Sequence, residues 1–185
     1  MWVATAATGV RGSDADARAD AFRTLLEADL LRYYRIAAAM LGDVVEAQDA
    51  VHDATVSAWQ RFGDLRDQTR FEAWFDRILV NICRDRLRAR RRRPIVDLGP
   101  LLGSSAVGGT AADPAVSVGA ADAVERAMRA LDPDHIAVVV LRFEADLTVG
   151  AIAQRLGIPE GTVKSRLHTA MGRMRDSMTE DEGRR

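Results

Sequence analysis

The stretch that decides the fold is TVGAIAQRLGIPEGTVKSRLHTA, residues 148–170. Thr148 is a suitable N-cap for a helix over residues 149–156, and Gly157 can adopt the left-handed conformation that ends such a helix. A second helix is predicted over about residues 160–178. Two helices joined by a tight turn that contains glycine follow the helix-turn-helix plan, whose second helix enters the major groove of DNA in many proteins.

The second of these helices carries polar side chains that suit phosphates and base edges. The candidate DNA-binding residues are Thr162, Lys164, Ser165, Arg166, His168 and Thr169. A solvated helix that happens to carry some basic residues is the alternative interpretation. The apolar pattern of the two helices, the glycine and the turn spacing together favour DNA binding.

A second basic surface is predicted on a long helix over residues 71–93, which Pro94 ends. From Arg70 to Arg93 the chain has nine arginines and three acidic residues, a local net charge of +6. Helical spacing places one stripe of side chains together: Arg77, Asn81, Arg84, Arg88 and Arg91. The predicted core face lies opposite and holds Phe75, Ile78, Ile82 and Ala89. A solvated face is again the alternative, but arginines at this density repel one another unless a polyanion is present, which favours nucleic acid.

An acidic surface is predicted on a helix over residues 43–62. Its acidic side chains are Asp43, Glu46, Asp49 and Asp53, with no basic residue among them. The helix dipole accounts for acids in the first turn but explains less further along. The deeper pair, Asp49 and Asp53, therefore suggests a docking face for a basic protein partner.

The rest of the chain predicts an all-α protein of two small helical bundles joined by a flexible linker. The first bundle covers residues 21–93, and Val44, Ala47, Val51, Ala54 and Trp59 are expected to face its core. The second covers residues 121–178. Residues 94–120 are rich in Gly, Ala, Ser and Pro, the composition of a linker. We expect residues 1–20 to be a disordered tail and residues 179–185 to form a second tail.

Several classes of protein are disfavoured by what the sequence lacks. The single cysteine, Cys83, excludes an internal disulfide and is typical of a cytoplasmic protein. No apolar run approaches the roughly 20 residues that span a bilayer, so no membrane insertion is expected. His52, His135 and His168 lie far apart in the sequence without companion ligands, so we expect no metal site. The sequence also shows no catalytic set and no glycine-rich loop that could cradle a phosphate, so we expect no cofactor, no catalytic residues and no enzymatic activity.

Three motifs resemble a known family. They are LGDVVEAQDAVHDATVSAW, FEAWFDRILVNICRDRLRARRRR and LTVGAIAQRLGIPEGTVKSRLHTA, with GTVKSRL intact at 161–167. In this order and spacing they resemble regions two and four of the bacterial extracytoplasmic-function (ECF) sigma factors of RNA polymerase, in the sigma-70 family. The resemblance implies a promoter-recognition subunit that binds core polymerase.

The resemblance also implies a role for each surface. Region two would hold the minus-ten element with Arg70, Arg77, Asn81, Arg84, Arg88 and Arg91. It would bind the clamp helices of the beta-prime subunit with Glu46, Asp49, His52 and Asp53. Region four would read the minus-thirty-five element with the six residues of the second helix and would meet the beta flap. The family usually has Gln-Glu at 52–53 and often arginine at 169, so this chain departs mildly at both places.

Other interpretations remain open at this point. A stand-alone helix-turn-helix regulator would explain residues 121–178 but leaves the stripe and the acidic helix without a role. A sigma-like inhibitory protein could occupy polymerase or an anti-sigma factor without starting transcription. An enzyme on a helical scaffold is disfavoured. The resemblance further implies control by an anti-sigma partner, whose identity the sequence does not give.

Overall fold

The computed structural model describes residues 9–92 and 123–182, and within them the backbone forms helices and turns without a strand, as the all-α prediction required. The helices are α1 (Gly9–Ala28), α2 (Leu30–Leu41), α3 (Val44–Arg61), α4 (Phe71–Arg92), α5 (residues 123–130), α6 (Pro133–Phe143), α7 (Val149–Leu156) and α8 (Glu160–Glu182). Helices α1–α4 form an N-terminal unit, and α5–α8 form a C-terminal unit. The predicted linker, residues 94–120, lies outside the described residues.

Helix α1 begins well before the predicted boundary at residue 20, so the expectation of a disordered tail is wrong for residues 9–20. The polar segment lacks the apolar periodicity on which that expectation rested. Its helix is instead fixed by tertiary contacts. The guanidinium of Arg18 lies 5.1 Å from the ring centroid of Trp59, and Phe22 is buried edge-on against Trp59, Phe62 and Phe71. Residues 1–8 lie outside the described part of the chain.

The core of the N-terminal unit lies between α2, α3 and α4. Its largest fully buried side chains are Tyr33, Ile36, Val51, Phe75, Leu79 and Val80. Two of the predicted core positions are wrong: Trp59 is 39% exposed, and Ala89 faces outward. The buried face of α4 instead continues from Phe75 through Leu79, Cys83 and Leu87, which follow one another at four-residue intervals along one side of the helix.

The C-terminal unit has the predicted helix-turn-helix geometry. The Thr148 hydroxyl accepts a hydrogen bond from the amide of Ala151, which caps α7 at its N-terminus. Gly157 has φ 66° and ends α7 in the left-handed conformation. Ile152 of α7 and Val163 of α8 are both fully buried and hold the two helices together.

The two units pack directly against each other. Helix α4 contacts both α6 and α7, and α2 contacts α6. The Arg35 side chain of α2 also pairs with Glu144, just after α6, over 2.6 Å. The basic helix of the first unit therefore faces the second unit.

Candidate nucleic-acid interface and docking face

Helix α8, the second helix of the helix-turn-helix, presents most of its candidate DNA-binding side chains to solvent. Lys164, Ser165, His168 and Thr169 are exposed, while Thr162 and Arg166 are half-buried. The buried residues Val163, Ala170 and Met174 fix the opposite face of α8 in the core. The exposed set therefore lies along one accessible side of the helix that follows the turn.

Two of these candidate side chains, Ser165 and Arg166, already have partners within the chain. The hydroxyl of Ser165 donates to the carbonyl of Thr162 over 3.0 Å, one turn earlier on α8. The guanidinium of Arg166 lies 3.5 Å from the carboxylate of Asp134 at the start of α6. Lys164 and His168 point outward, and Lys164 makes no ion pair among the described residues.

The predicted stripe on α4 exists, but it faces the C-terminal unit. Arg84 and Arg88 both bind the carboxylate of Asp134, Arg88 over 3.2 Å. Arg91 binds the carboxylate of Asp132 over 2.9 Å and also donates to the carbonyl of Leu131. These arginines, which the sequence assigns to phosphates, are held in this conformation by carboxylates of the same chain.

The remaining members of the predicted set lie around this contact. Arg77 lies over the turn of the helix-turn-helix. A Cβ built on Gly157 in that turn would lie 3.4 Å from a guanidinium nitrogen of Arg77. Asn81 is exposed and accepts a hydrogen bond from Arg84 over 3.3 Å. Arg70, before α4, is well exposed and lies 3.5 Å from Asp67. The structure thus brings the stripe together and leaves Arg70 at its edge.

The connector before α4 is ordered by local hydrogen bonds. It contains two short 3-10 turns, Phe62–Asp64 and Gln68–Arg70. The Asp67 carboxylate accepts from both the hydroxyl and the amide of Thr69, at 2.6 and 3.0 Å. These bonds lower the pKa of Asp67 from its ordinary value. Exposed polar side chains dominate this segment, as its sequence predicts.

A buried carboxylate between the units was missed by sequence reasoning. Asp76 of α4 is fully buried and binds two arginines, Arg32 of α2 and Arg155 of α7. Burial raises the pKa of Asp76 above its ordinary value, and the charges and hydrogen bonds of the two arginines oppose that rise. Glu72, one turn earlier, lies 3.2 Å from Arg32 and 2.7 Å from Arg155. An aspartate within the otherwise apolar face of α4 was the signal available in the sequence.

The acidic helix α3 presents a mixed apolar and acidic outer face. Asp49 and His52 are exposed and share one stripe with three apolar side chains: Val45, Val56 and Trp59, which are 67, 43 and 39% exposed. Sequence reasoning predicted the polar residues of this face but not its apolar ones.

The other two members of the predicted α3 set point toward α4. Asp53 pairs with Arg86, and Glu46 lies 3.9 Å from Arg90. These two acids therefore connect α3 to α4, whereas Asp49 makes no ion pair among residues 14–92 and 123–179.

Two further kinds of feature, a metal-binding cluster and a membrane-spanning helix, are absent from the part of the chain that the structure describes. It has no group of three or more His, Cys, Asp or Glu side chains that could hold a metal ion. None of its helices is long and apolar enough to cross a membrane. Burial raises the pKa of the Cys83 thiol to about 12, which leaves that residue a packing element rather than a nucleophile.

Two protein families match the chain in the order of its two units. Sigma-70 region 2 matches residues 25–93, and Sigma-70, region 4 matches residues 127–176. Relatives include the ECF RNA polymerase sigma factor SigL of Mycobacterium tuberculosis, 32% identical over 90% of this chain and 93% of the relative. SigW of Bacillus subtilis is 27% identical over 86% of this chain and 89% of the relative.

SigM of Mycobacterium tuberculosis is 35% identical over 70% of this chain, but the chain spans only 62% of that relative. A solved structure described as CnrH in complex with the cytosolic domain of CnrY has a TM-score of 0.63 at 23% identity, covering 89% of this chain and 96% of the other. At that identity the likeness concerns the fold alone. The chain belongs to the ECF sigma factors of the sigma-70 family.

Proposed function

We propose that this protein binds core RNA polymerase and directs promoter-specific transcription initiation by recognising the minus-ten and minus-thirty-five elements. The observation that carries this proposal is that one chain holds two separate basic helical faces and a third, acidic and apolar face. The two basic faces suit two DNA elements, and the third suits a protein. Members of the family are transcription regulators rather than catalysts, and we propose that this chain acts in the cytoplasm without enzymatic activity of its own.

Region four is proposed to read the minus-thirty-five element through the exposed side of α8. Lys164 and Arg166 supply charge for phosphates, while Ser165, His168 and the two threonines offer hydrogen bonds to phosphates or base edges. The beta flap is the proposed polymerase partner of this unit. Thr169 stands where many relatives have arginine, so we expect one phosphate contact fewer at that position.

Region two is proposed to hold the minus-ten element along α4 and its connector. Arg77, Arg84, Arg88 and Arg91 would neutralise phosphates, with Arg70 at the edge of the same surface, while Asn81 would meet a base. Extracting a base from the stack costs a few kcal/mol, which the polar connector at residues 63–70 would help to offset.

The outer face of α3 is proposed to dock on the clamp helices of the beta-prime subunit. The exposed apolar side chains Val45 and Val56 provide area to bury, and Asp49 provides charge complementarity. Two weak DNA contacts tethered on one polymerase reach useful affinity through effective concentration, so neither unit needs to bind DNA tightly alone.

Control by an anti-sigma partner is part of the proposal. The solved structural neighbour was determined with the cytosolic domain of a second protein, CnrY. A comparable protein partner of this chain would compete for the surfaces that polymerase uses, and the exposed α3 face is the candidate.

The test is transcription from a genomic promoter library by core polymerase with and without this protein. Initiation at a discrete set of promoters only in its presence is the expected result. Binding to core polymerase without initiation would instead favour the sigma-like inhibitor. Sequence-specific DNA binding with no core binding would favour the stand-alone helix-turn-helix regulator.

A further inference from the structure

We infer that Asp132 and Asp134, at the start of α6, act as an internal phosphate mimic that closes the two units over the basic stripe of α4, and that promoter DNA must displace them. The inference rests on the proposed function for its last step. The closure itself concerns only contacts within this chain.

The geometry of the contact matches what a phosphate would offer to the stripe. The carboxylate of Asp134 binds Arg84 and Arg88, which are one turn apart on α4. The carboxylate of Asp132 binds Arg91, one turn further along the same helix. The two carboxylates are two residues apart, so α6 presents its negative charges along the stripe in register with successive arginines. Arginine binds carboxylate and phosphate through the same planar fork of donors, so one group can replace the other.

The two aspartates also engage the recognition helix. Arg166 lies 3.5 Å from Asp134, and Arg173 binds Asp132 over 2.7 Å. The hydrogen bonds from Arg173 and Arg91 lower the pKa of Asp132, so this carboxylate is ionised at neutral pH. The same two acids therefore neutralise cations of both candidate DNA surfaces at once, and their release would free both surfaces together.

Asp132 has one local contact on α6, at 3.5 Å from Nδ1 of His135 one turn further along, and this contact leaves its bonds to Arg91 and Arg173 unexplained. Asp132 is the N-cap of α6, but its side chain makes no capping hydrogen bond. The Asp134 carboxylate, in the first turn of α6, gains from the helix dipole, but a dipole alone does not require two arginines from another unit. Opening would break the pairs of Asp134 with Arg84 and Arg88, and because the Arg84 side chain is only 17% exposed, water screens this contact less than it screens a surface ion pair.

The experiment measures closure without polymerase. Fluorophores are placed on cysteines introduced at the exposed positions Glu27 and Thr179 of the full chain, while the buried Cys83 stays unlabelled. We expect the wild type to give one compact population at about 0.1 M salt, where the Debye length is about 10 Å. The double variant Asp132→Asn with Asp134→Asn should move most molecules to a longer distance.

Two matched variants separate closure from folding and from net charge. Asp146→Asn removes one carboxylate that is 98% exposed and pairs only within its own unit, so it should remain compact. Asn also suits the left-handed backbone at this position. The charge-preserving variant Asp132→Glu with Asp134→Glu should remain closed. Circular dichroism checks that each variant is folded.

The competition with DNA is measured on the same proteins. The probe is a labelled single strand of about 20 nucleotides of mixed sequence. We expect the double asparagine variant to bind it about tenfold more tightly than wild type, since two neutralising charges are removed from a phosphate-binding surface. Adding Arg84→Ala and Arg88→Ala should remove that gain.

Three results would overturn the inference: an open wild type, a double variant as compact as Asp146→Asn, or opening without a gain in strand affinity. Core-polymerase transcription with the same variants keeps the two proposals apart. Opening and tighter strand binding with no initiation by any variant would refute the proposed function alone. Initiation with an unchanged distance would refute the phosphate mimic alone.

Discussion

The Nε of Arg155 on α7 donates to the carboxylate of Asp76 on α4 over 2.7 Å, and this hydrogen bond joins the two units through a fully buried acid. Arg32 of α2 completes the coordination of the carboxylate over 2.9 and 3.2 Å. Removing a charge from water is costly unless its partners are well placed, so Asp76 depends on both arginines. The apposition of the units is therefore linked to the stability of the first unit.

We predict that Arg155→Gln shifts the two units apart. The variant loses the hydrogen bonds from Arg155 to Asp76 and Glu72. A neutral glutamine satisfies the Asp76 carboxylate less well than water does, and hydration of that carboxylate requires the units to separate. The fluorophore distance described above should lengthen. Arg129→Gln, which removes an exposed arginine paired within α5, is the control and should leave the distance unchanged. An unchanged distance in both variants would mean that the buried pair does not hold the units together.

Asp76→Ala should destabilise the folded chain by about 3 kcal/mol, since it leaves the part-buried Arg32 and Arg155 with only the half-exposed Glu72 as a shared acid. Urea unfolding monitored by circular dichroism gives the free energy of unfolding. The matched control is Asp85→Ala, whose side chain is 76% exposed and pairs with Arg88 one turn away. It should cost less than about 1 kcal/mol. Equal losses for the two variants would contradict the role assigned to Asp76.

The turn of the helix-turn-helix gives a prediction about backbone conformation. Gly157→Ala should destabilise the C-terminal unit by about 1–2 kcal/mol, because Gly157 has φ 66° and an added Cβ would meet Arg77. Gly172→Ala is the control, since Gly172 lies within α8 with nothing within 4 Å of an added Cβ. It should be neutral or stabilise by up to about 1 kcal/mol. Thermal unfolding of both variants checks the contrast, and a stabilising Gly157→Ala would contradict it.

Local sequence signals predicted much of this fold because each of them has one short-range physical cause. The cap at Thr148, the left-handed Gly157 and the buried face of α8 follow from short-range rules. Helix α1 was missed because its support comes from Phe22 and Arg18 against residues some 40 positions later. No local pattern in residues 9–20 carries that information.

The candidate sites show the same division between local and non-local information. Helical spacing placed Arg84, Arg88 and Arg91 on one stripe. It could not indicate that Asp132 and Asp134 would meet them, because ion pairs between units depend on tertiary packing. The apolar part of the α3 face was missed for a related reason: valine is normally buried, and only the packing of the unit shows which valines are left out.

We predict that charge reversal at Asp49 weakens the complex with core polymerase at least tenfold. Asp49 is exposed and unpaired among the described residues, so Asp49→Lys should leave the fold intact and introduce repulsion toward a basic partner. Val56→Asp should act similarly by placing a charge in the apolar part of the docking face. Asp20→Lys, on the exposed side of α1, is the control.

Affinity for core polymerase is measured by anisotropy of labelled protein, alongside circular dichroism. Asp53→Lys is a less informative variant, because Asp53 also pairs with Arg86 and its loss affects the packing of α3 on α4. If both Asp49→Lys and Val56→Asp leave the affinity for core polymerase unchanged, the docking face does not lie on α3.

The recognition helix gives the prediction that separates charge from sequence reading. Lys164 is exposed on α8 and makes no ion pair within residues 14–92 and 123–179, so its charge is available for a phosphate. Lys164→Ala should weaken binding to promoter fragments by a similar factor whatever their minus-thirty-five sequence. It should also reduce the slope of log affinity against log salt by about 1. His168→Ala should instead change preference at one base pair, by about 1–3 kcal/mol, if the imidazole reads a base edge.

The measurement is polymerase-dependent binding to a set of single-base variants of one promoter at several salt concentrations. Arg23→Ala, which removes an exposed cation on α1 of the N-terminal unit, should alter neither slope nor preference. A change in base preference for Lys164→Ala with an unchanged salt slope would show that this lysine reads sequence rather than phosphate.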